Sequence, residues 1–218
     1  MNRMIWRVKI INSSIEPDAS IVKSGGLQPI DESQLLEIKE MLNSLNGMEE
    51  LKHLVKHMEQ RVRYIHENQQ ETSFIENLYT PLVFTGNAGT GKTTAARIIG
   101  KLYHALGLFH KLEIKETYLS DISSDYIGKS AENMRRIISE ARGGVLFIDE
   151  AHQLGDKGSM VAKEAVQELV SSLLNSRNKL VIILAGYDEK MNYLYEMDPG
   201  LSCRLPMRIH FNDISPEE

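Results

Sequence analysis

The sequence contains a single cysteine among its 218 residues. Cys203 cannot form a disulfide within the chain, and its sequence neighbours do not form a metal-ligand cluster, which is typical of a protein from a reducing compartment. Long hydrophobic runs are also lacking. The longest, residues 180–185, is far shorter than the ~20 residues that a membrane-spanning helix requires. The N-terminus lacks the uninterrupted apolar core of a signal peptide. We therefore expect a cytoplasmic protein.

An excess of charge of either sign is lacking as well. The sequence has 25 Lys and Arg against 30 Asp and Glu, a net charge of −5. This balance provides no overall attraction to nucleic acid or to anionic membranes. A nucleic-acid loader would need a local basic stripe. We therefore expect neither a membrane partner nor a nucleic-acid partner.

The hydrophobic pattern alternates between helices and strands. A helical pattern begins near Asp31, and apolar residues then recur every three or four positions between residues 48 and 65. Segments rich in branched residues follow, separated by helical patterns. They are residues 82–85, 112–117, 145–148 and 180–185, with a final strand at 208–212. This alternation predicts an α/β fold: a five-stranded parallel sheet with helices on both faces.

Residues 86–93 match the phosphate-loop pattern G-x-x-x-x-G-K-[ST], directly after a predicted strand and before a predicted helix. Its glycines let successive backbone N–H groups point inward, where the helix dipole adds positive potential. Lys92 is predicted to contact the β- and γ-phosphates, and the Thr93 hydroxyl to bind Mg²⁺. The alternative is a glycine-rich turn without a ligand. The predicted nucleotide-binding residues here are Gly86, Asn87, Ala88, Gly89, Thr90, Gly91, Lys92, Thr93 and Thr94.

Two carboxylates, Asp149 and Glu150, follow the predicted strand 145–148. The C-terminal ends of parallel strands form the edge where ligands bind in open α/β sheets. Asp149 is predicted to hold Mg²⁺, and Glu150 to orient and polarise a water for attack on the γ-phosphate. A helix N-cap is the alternative, but the phosphate loop favours the catalytic interpretation.

The same motif continues to His152 and spells Asp-Glu-Ala-His, the box of one helicase superfamily. Such helicases need a second nucleotide-binding lobe. Only 66 residues follow His152 in this sequence, too few for that lobe. We therefore expect His152 to lie near the site without a catalytic role.

With these motifs the sequence resembles the AAA+ ATPases, and within them the branch of stage V sporulation protein K and the red-type, CbbX-like Rubisco activases. Residues 47–52 resemble the segment that opens the AAA+ module, which implies that Met48 contributes to the adenine pocket. Residues 184–187 and 198–206 are similar to the fourth-strand and arginine-finger region of that branch. The resemblance implies a sporulation-protein-K-like enzyme that hydrolyses ATP with Mg²⁺ and remodels a protein partner.

The resemblance also implies roles for outward-facing residues. Arg204 matches the arginine finger that reaches a neighbouring subunit's site, with Arg208 as the alternative. Tyr126, Ile127 and Gly128 resemble a pore loop that grips a polypeptide substrate in the central channel of a homo-hexamer. The alternative is that Tyr126 and Ile127 pack under the sheet. The polar sensor on the fourth strand is Tyr187, Asp188 or neither.

The resemblance divides the chain into an N-terminal extension, residues 1–40, and an AAA+ large subdomain, residues 41–218. The extension would comprise a short strand, a linker and the start of a helix. The family continues into a helical lid, which would begin where this sequence stops. We therefore expect weak nucleotide affinity and a largely monomeric state for the chain alone. The alternative function is an ATP-dependent binding or assembly module without productive turnover.

Overall fold

The computed structural model describes residues 27–45, 48–68, 78–124, 126, 128–156, 159–173, 179–198 and 200–213. The strand and linker predicted near the N-terminus fall mostly on residues 1–26, outside the described residues. None of the helices in the described ranges is long and apolar enough to cross a membrane.

Five strands form one sheet, and every neighbouring pair is parallel, in the order β2-β3-β4-β1-β5. The strands are β1 (Leu82–Gly86), β2 (Ile114–Thr117), β3 (Val145–Ile148), β4 (Val181–Gly186) and β5 (Met207–Phe211). The predicted five-stranded parallel sheet is therefore confirmed. The second strand begins two residues later than predicted, since Leu112 is 53% exposed and precedes the ladder with β3.

Helices cover both faces of the sheet, as predicted. They are α1 (Glu32–Asn43), α2 (Glu49–Asn68), α3 (Lys92–Ala105), α4 (Leu119–Ile122), α5 (Lys129–Glu140), α6 (Met160–Leu173), α7 (Asp188–Met197) and α8 (Gly200–Arg204), with a 3-10 helix at Ala151–Gly155. Alternate residues of one strand serve opposite faces: in β3, Phe147 packs in the core under α1, α2 and α3, whereas Ile148 packs in the core under α5, α6 and α7.

The first helix begins where the sequence predicted a helical pattern. The Asp31 carboxylate caps it by accepting hydrogen bonds from the backbone N–H groups of Ser33 and Gln34, at 3.1 and 3.0 Å. α1 crosses the predicted boundary at residue 40, and its buried side chains share one core with α2 and α3.

The order of the strands determines which turns meet at one edge of the sheet. β1 lies between β4 and β5, and β3 lies on the other side of β4. Because all strands run in the same direction, the turns that follow β1, β3 and β4 meet at one edge of the sheet.

Candidate active site

The phosphate loop bends sharply between β1 and α3. Gly86, Gly89 and Gly91 have φ angles of 146°, 80° and 94°. Residues other than glycine rarely adopt such positive φ angles. Gly86 also lies against the backbone carbonyl of Phe211 in β5, where a Cβ atom would overlap with that oxygen. The loop conformation therefore depends on glycine for its backbone angles and for the close approach of β5.

Lys92 begins α3, and its ammonium turns back over the loop. Its Nζ donates hydrogen bonds to the carbonyl oxygens of Gly86, at 2.9 Å, and Asn87, at 2.5 Å. Burial lowers the pKa of Lys92, and the negative charge of Asp149 offsets part of that effect. Lys92 thus places a partly desolvated positive charge beside the acidic pair.

Asp149 and Glu150 follow β3 directly. The Asp149 backbone N–H donates to the Thr117 carbonyl at 3.0 Å, and an Asp149 carboxylate oxygen accepts from the Glu150 N–H at 2.9 Å. Glu150 has φ 50° and ψ 34°, a left-handed conformation that costs a residue with a side chain roughly 1–2 kcal/mol. Its Oε2 accepts a hydrogen bond from Gln153 Nε2 at 2.5 Å. Gln153 thus restrains the exposed Glu150 carboxylate through one hydrogen bond.

These elements enclose a cleft of about 330 Å³. Its lining residues are Gly86, Ala88, Gly89, Gly91, Lys92, Thr93, Thr94, Asp149, Glu150, His152, Gly186 and Tyr187. The structure therefore brings most of the predicted phosphate loop together with both predicted carboxylates. Thr93 and Asp149 add a hydroxyl and a carboxylate to the same cleft, the oxygen ligands that Mg²⁺ prefers, so the residues present fit a bound Mg²⁺.

Two predicted loop residues do not line the cleft. The Asn87 side-chain amide donates to both carboxylate oxygens of Asp213, each at 2.9 Å, just after β5. Thr90 is buried, and its hydroxyl donates to the Asn87 carbonyl at 2.9 Å. Both side chains hold the shape of the loop and leave the contacts with a ligand to the backbone.

Met48 lies beside the loop rather than in the cleft wall. Its terminal methyl carbon would be 2.7 Å from a Cβ atom placed at Gly91. Gly47, which precedes it in the predicted adenine segment, lies outside the described residues. A role for Met48 in an adenine pocket stays a prediction.

The cleft also includes His152, which the sequence predicted to lie near the site without a catalytic role, and Gly186, for which no role was predicted. The imidazole of His152 packs against the ring of Tyr187, with centroids 5.3 Å apart and an interplanar angle of 65°. Of the two sensor candidates, Tyr187 lines the cleft, whereas Asp188 lies 3.9 Å from an Arg208 nitrogen. The position of Gly186 at the C-terminal end of β4 was the signal that could have identified it.

Residues 82–213, more than half of the chain, match the family described as ATPase family associated with various cellular activities (AAA). The chain belongs to the AAA ATPase family. It is 35% identical to stage V sporulation protein K of Bacillus subtilis over 182 residues, which are 83% of this chain and 56% of that protein.

Two further relatives of this AAA chain match over 137 residues, or 62% of it. The chloroplastic ribulose bisphosphate carboxylase/oxygenase activase of Cyanidioschyzon merolae is 40% identical over 47% of its own length. Protein CbbX of Cereibacter sphaeroides is 40% identical over 44% of its length. These similarities confirm the predicted resemblance, and the chain spans about half the length of the curated relatives it matches.

Neither candidate arginine finger of this AAA chain lines the cleft. Arg204, at the end of α8, lies over Gly200, where a Cβ atom would overlap with its Nη1, and its buried Nε has no hydrogen-bond partner. Arg208, in β5, has Nη1 3.9 Å from Asp188, and its guanidinium lies 5.8 Å from the Tyr195 ring centroid. Arg208 is thus paired within the chain, whereas the Arg204 Nε is buried without a partner among the described residues.

The predicted pore loop lies between α4 and α5. Tyr126 is 79% exposed, so the alternative in which it packs under the sheet is wrong for this residue. Ile127 lies outside the described residues. Gly128, with φ 80°, donates its backbone N–H to both carboxylate oxygens of Glu164 in α6, each at 2.9 Å. A side chain from the neighbouring helix therefore holds the position where α5 begins.

Proposed function

We propose that this chain binds ATP with Mg²⁺, hydrolyses it to ADP and phosphate, and uses the reaction to remodel a protein partner. The observation that carries the proposal is the single cleft lined by the phosphate loop and by the two carboxylates after β3. Membership in an ATPase family supports it.

The phosphate loop is the binding element. Its backbone N–H groups and the N-terminus of α3 form a concave positive surface for the phosphates. Lys92 now donates to two neutral carbonyls, at Gly86 and Asn87. Anionic phosphate oxygens accept stronger hydrogen bonds than such carbonyls, so we expect the ammonium to turn toward the β- and γ-phosphates when nucleotide binds.

Hydrolysis requires an oriented water and charge neutralisation. Thr93 and Asp149 would hold Mg²⁺, which neutralises phosphate charge as the γ-phosphoryl group leaves. Glu150 would orient a water and accept its proton, while the water oxygen forms a bond to the γ-phosphorus and the bond to the β–γ bridging oxygen breaks, so that this oxygen leaves on ADP. The fixed backbone of Glu150 and its contact with Gln153 favour one position for that carboxylate.

The partner role rests on outward-facing residues and on the relatives. We propose that Tyr126, Ile127 and Gly128 form a pore loop of a cytoplasmic homo-hexamer, and that Arg204 completes a neighbouring subunit's cleft. The exposure of Tyr126 supports the pore loop, and Arg204 lies outside its own cleft, as a residue that serves a neighbouring cleft would. The activase among the relatives is, by its name, a protein that acts on another enzyme, which supports a protein substrate here.

The test uses two cleft variants and measures nucleotide binding together with steady-state phosphate release. We expect Lys92→Ala to lose ATP binding, and Glu150→Gln to bind ATP without releasing phosphate. Lys101→Ala is the matched control, since Lys101 is an exposed lysine on the same helix. Wild-type hydrolysis by both cleft variants would refute the proposed site. A wild-type chain that binds ATP but releases no phosphate would instead support a nucleotide-dependent binding module.

A further inference from the structure

The imidazole of His152 forms part of the cleft wall. The 3-10 helix that follows Glu150 carries it, and it faces the end of β4 at Gly186 and Tyr187. It lies three residues after Asp149 and two after Glu150, so it belongs to the side of the cleft where a terminal phosphate and its attacking water would be bound.

The two ring nitrogens of His152 have different surroundings. Nδ1 is buried without a hydrogen-bond partner, and it would lie 3.0 Å from a Cβ atom at Gly186. Nε2 is not among the buried unpaired atoms, and no hydrogen bond joins it to the described part of the chain. Nε2 is therefore the ring nitrogen that the cleft can reach.

The surroundings of the ring also determine which nitrogen carries the proton. Burial and the positive charge of Lys190 lower the pKa of His152, while Glu150 and Asp149 offset part of this effect, which favours the neutral ring. A neutral imidazole has one N–H. A proton on Nδ1 would be a buried donor without an acceptor, which is costly. The preferred form therefore carries its proton on Nε2, as a hydrogen-bond donor toward the cleft.

The ring has little freedom to move. The Tyr187 ring packs against it in an edge-to-face arrangement, and the Lys190 ammonium lies 4.8 Å from the Tyr187 ring centroid. At the other end of the 3-10 helix, Gly155 packs so closely on α7 that a Cβ atom would lie 2.6 Å from the Leu194 nitrogen. A donor held this firmly is suited to selecting one ligand geometry.

We propose that His152 is a specificity-determining residue that donates a hydrogen bond from Nε2 to the terminal phosphate of ATP, so that the cleft distinguishes ATP from ADP. This inference rests on the proposed function. The phosphate supplies acceptor oxygens and no donors, which matches the single N–H that His152 offers. ADP lacks the group, and its binding does not use His152.

The first test measures the affinities of ATPγS and ADP, with Mg²⁺, for the wild type and for His152→Gln, His152→Asn and His152→Phe. A glutamine amide reaches about as far as Nε2, whereas an asparagine amide reaches only the position of Nδ1. We expect ATPγS affinity to fall about tenfold to a hundredfold in the Asn and Phe variants and to recover in the Gln variant. ADP affinity should stay within about twofold throughout.

The second test uses the wild type alone, so that it does not depend on the folding of a variant. In ¹⁵N-labelled protein, the His152 ring signals should show a protonated Nε2 whose resonance shifts with ATPγS but not with ADP.

The outcomes separate the two proposals. A wild type that binds neither nucleotide refutes the proposed function. If the wild type binds both nucleotides, either of two results overturns the role of His152 alone. One is an equal loss of ATPγS and ADP affinity in His152→Phe. The other is an Nε2 resonance that does not shift when ATPγS is added.

Discussion

The nucleotide cleft and the outward-facing elements of this chain differ in where their partners lie. The cleft residues come from turns after three strands of one sheet, and they contact one another within a single chain. Tyr126 is 79% exposed, and Arg204 lies outside the cleft. Substitutions in the cleft should therefore change the properties of the isolated chain, whereas substitutions in the outward-facing elements should have an effect only in an assembly or with a substrate.

The largest expected effect concerns Arg204. In an assembled ring, Arg204→Ala should lower phosphate release by about a thousandfold, the contribution of an arginine finger to related phosphoryl transfers. ATP binding to the isolated chain should not change, because Arg204 lies outside its own cleft. Arg208→Ala is the control and should retain hydrolysis. The reverse pattern, with turnover lost only in Arg208→Ala, would identify Arg208 as the finger.

A variant in the cleft should show its effect in the isolated chain, without any assembly. Gly86→Ala should destabilise the isolated chain by roughly 3 kcal/mol, because a Cβ atom there overlaps with the Phe211 carbonyl. Gly89→Ala has open space around its Cβ atom and bears only the cost of its φ angle, about 1 kcal/mol. Chemical denaturation measures both. Equal losses would mean that β5 does not constrain the loop.

The proposed pore loop should show an intermediate effect. Glu164→Ala removes the acceptor of the Gly128 N–H and should cost about 1 kcal/mol. We expect substrate remodelling to fall while basal phosphate release persists. Glu168→Ala, one turn along α6, loses only the pair with exposed Arg135 and should cost less than about 0.5 kcal/mol. Remodelling that survives Glu164→Ala would show that the loop does not need this anchor.

The smallest expected effect concerns backbone strain, and it compares a residue in the cleft with one outside it. Glu150 and Lys179 are the residues other than glycine with positive φ in the described ranges, at 50° and 42°. Asparagine tolerates this conformation, so Glu150→Asn and Lys179→Asn should each raise the free energy of unfolding by about 0.5–1 kcal/mol. Only Glu150→Asn should abolish phosphate release. A Glu150→Asn chain that is no more stable than the wild type would show that this angle stores no strain.

Local pattern was sufficient for the sheet and for the main cleft residues. β1, β3 and β4 are short apolar runs, β2 and β5 carry branched or alternating apolar residues, and the phosphate loop is a contiguous motif, so neighbours along the chain carry the information. Glu164 and Asp213 were harder because their roles come from contacts between distant elements. The Gly128 and Glu164 pair is separated by 36 positions, and the Asn87 and Asp213 pair by 126. A single sequence does not show which distant residues meet.

The bond between Asn87 and Asp213 links the mouth of the phosphate loop to the chain that leaves the sheet after β5. A mechanical pull on any polypeptide attached beyond residue 213 would reach Asn87 directly, without passing through the helices. Conversely, a phosphate loop that closes on its ligand would restrain the chain at Asp213 more tightly. The exit of the chain is thus a natural point at which nucleotide occupancy could be converted into directed force.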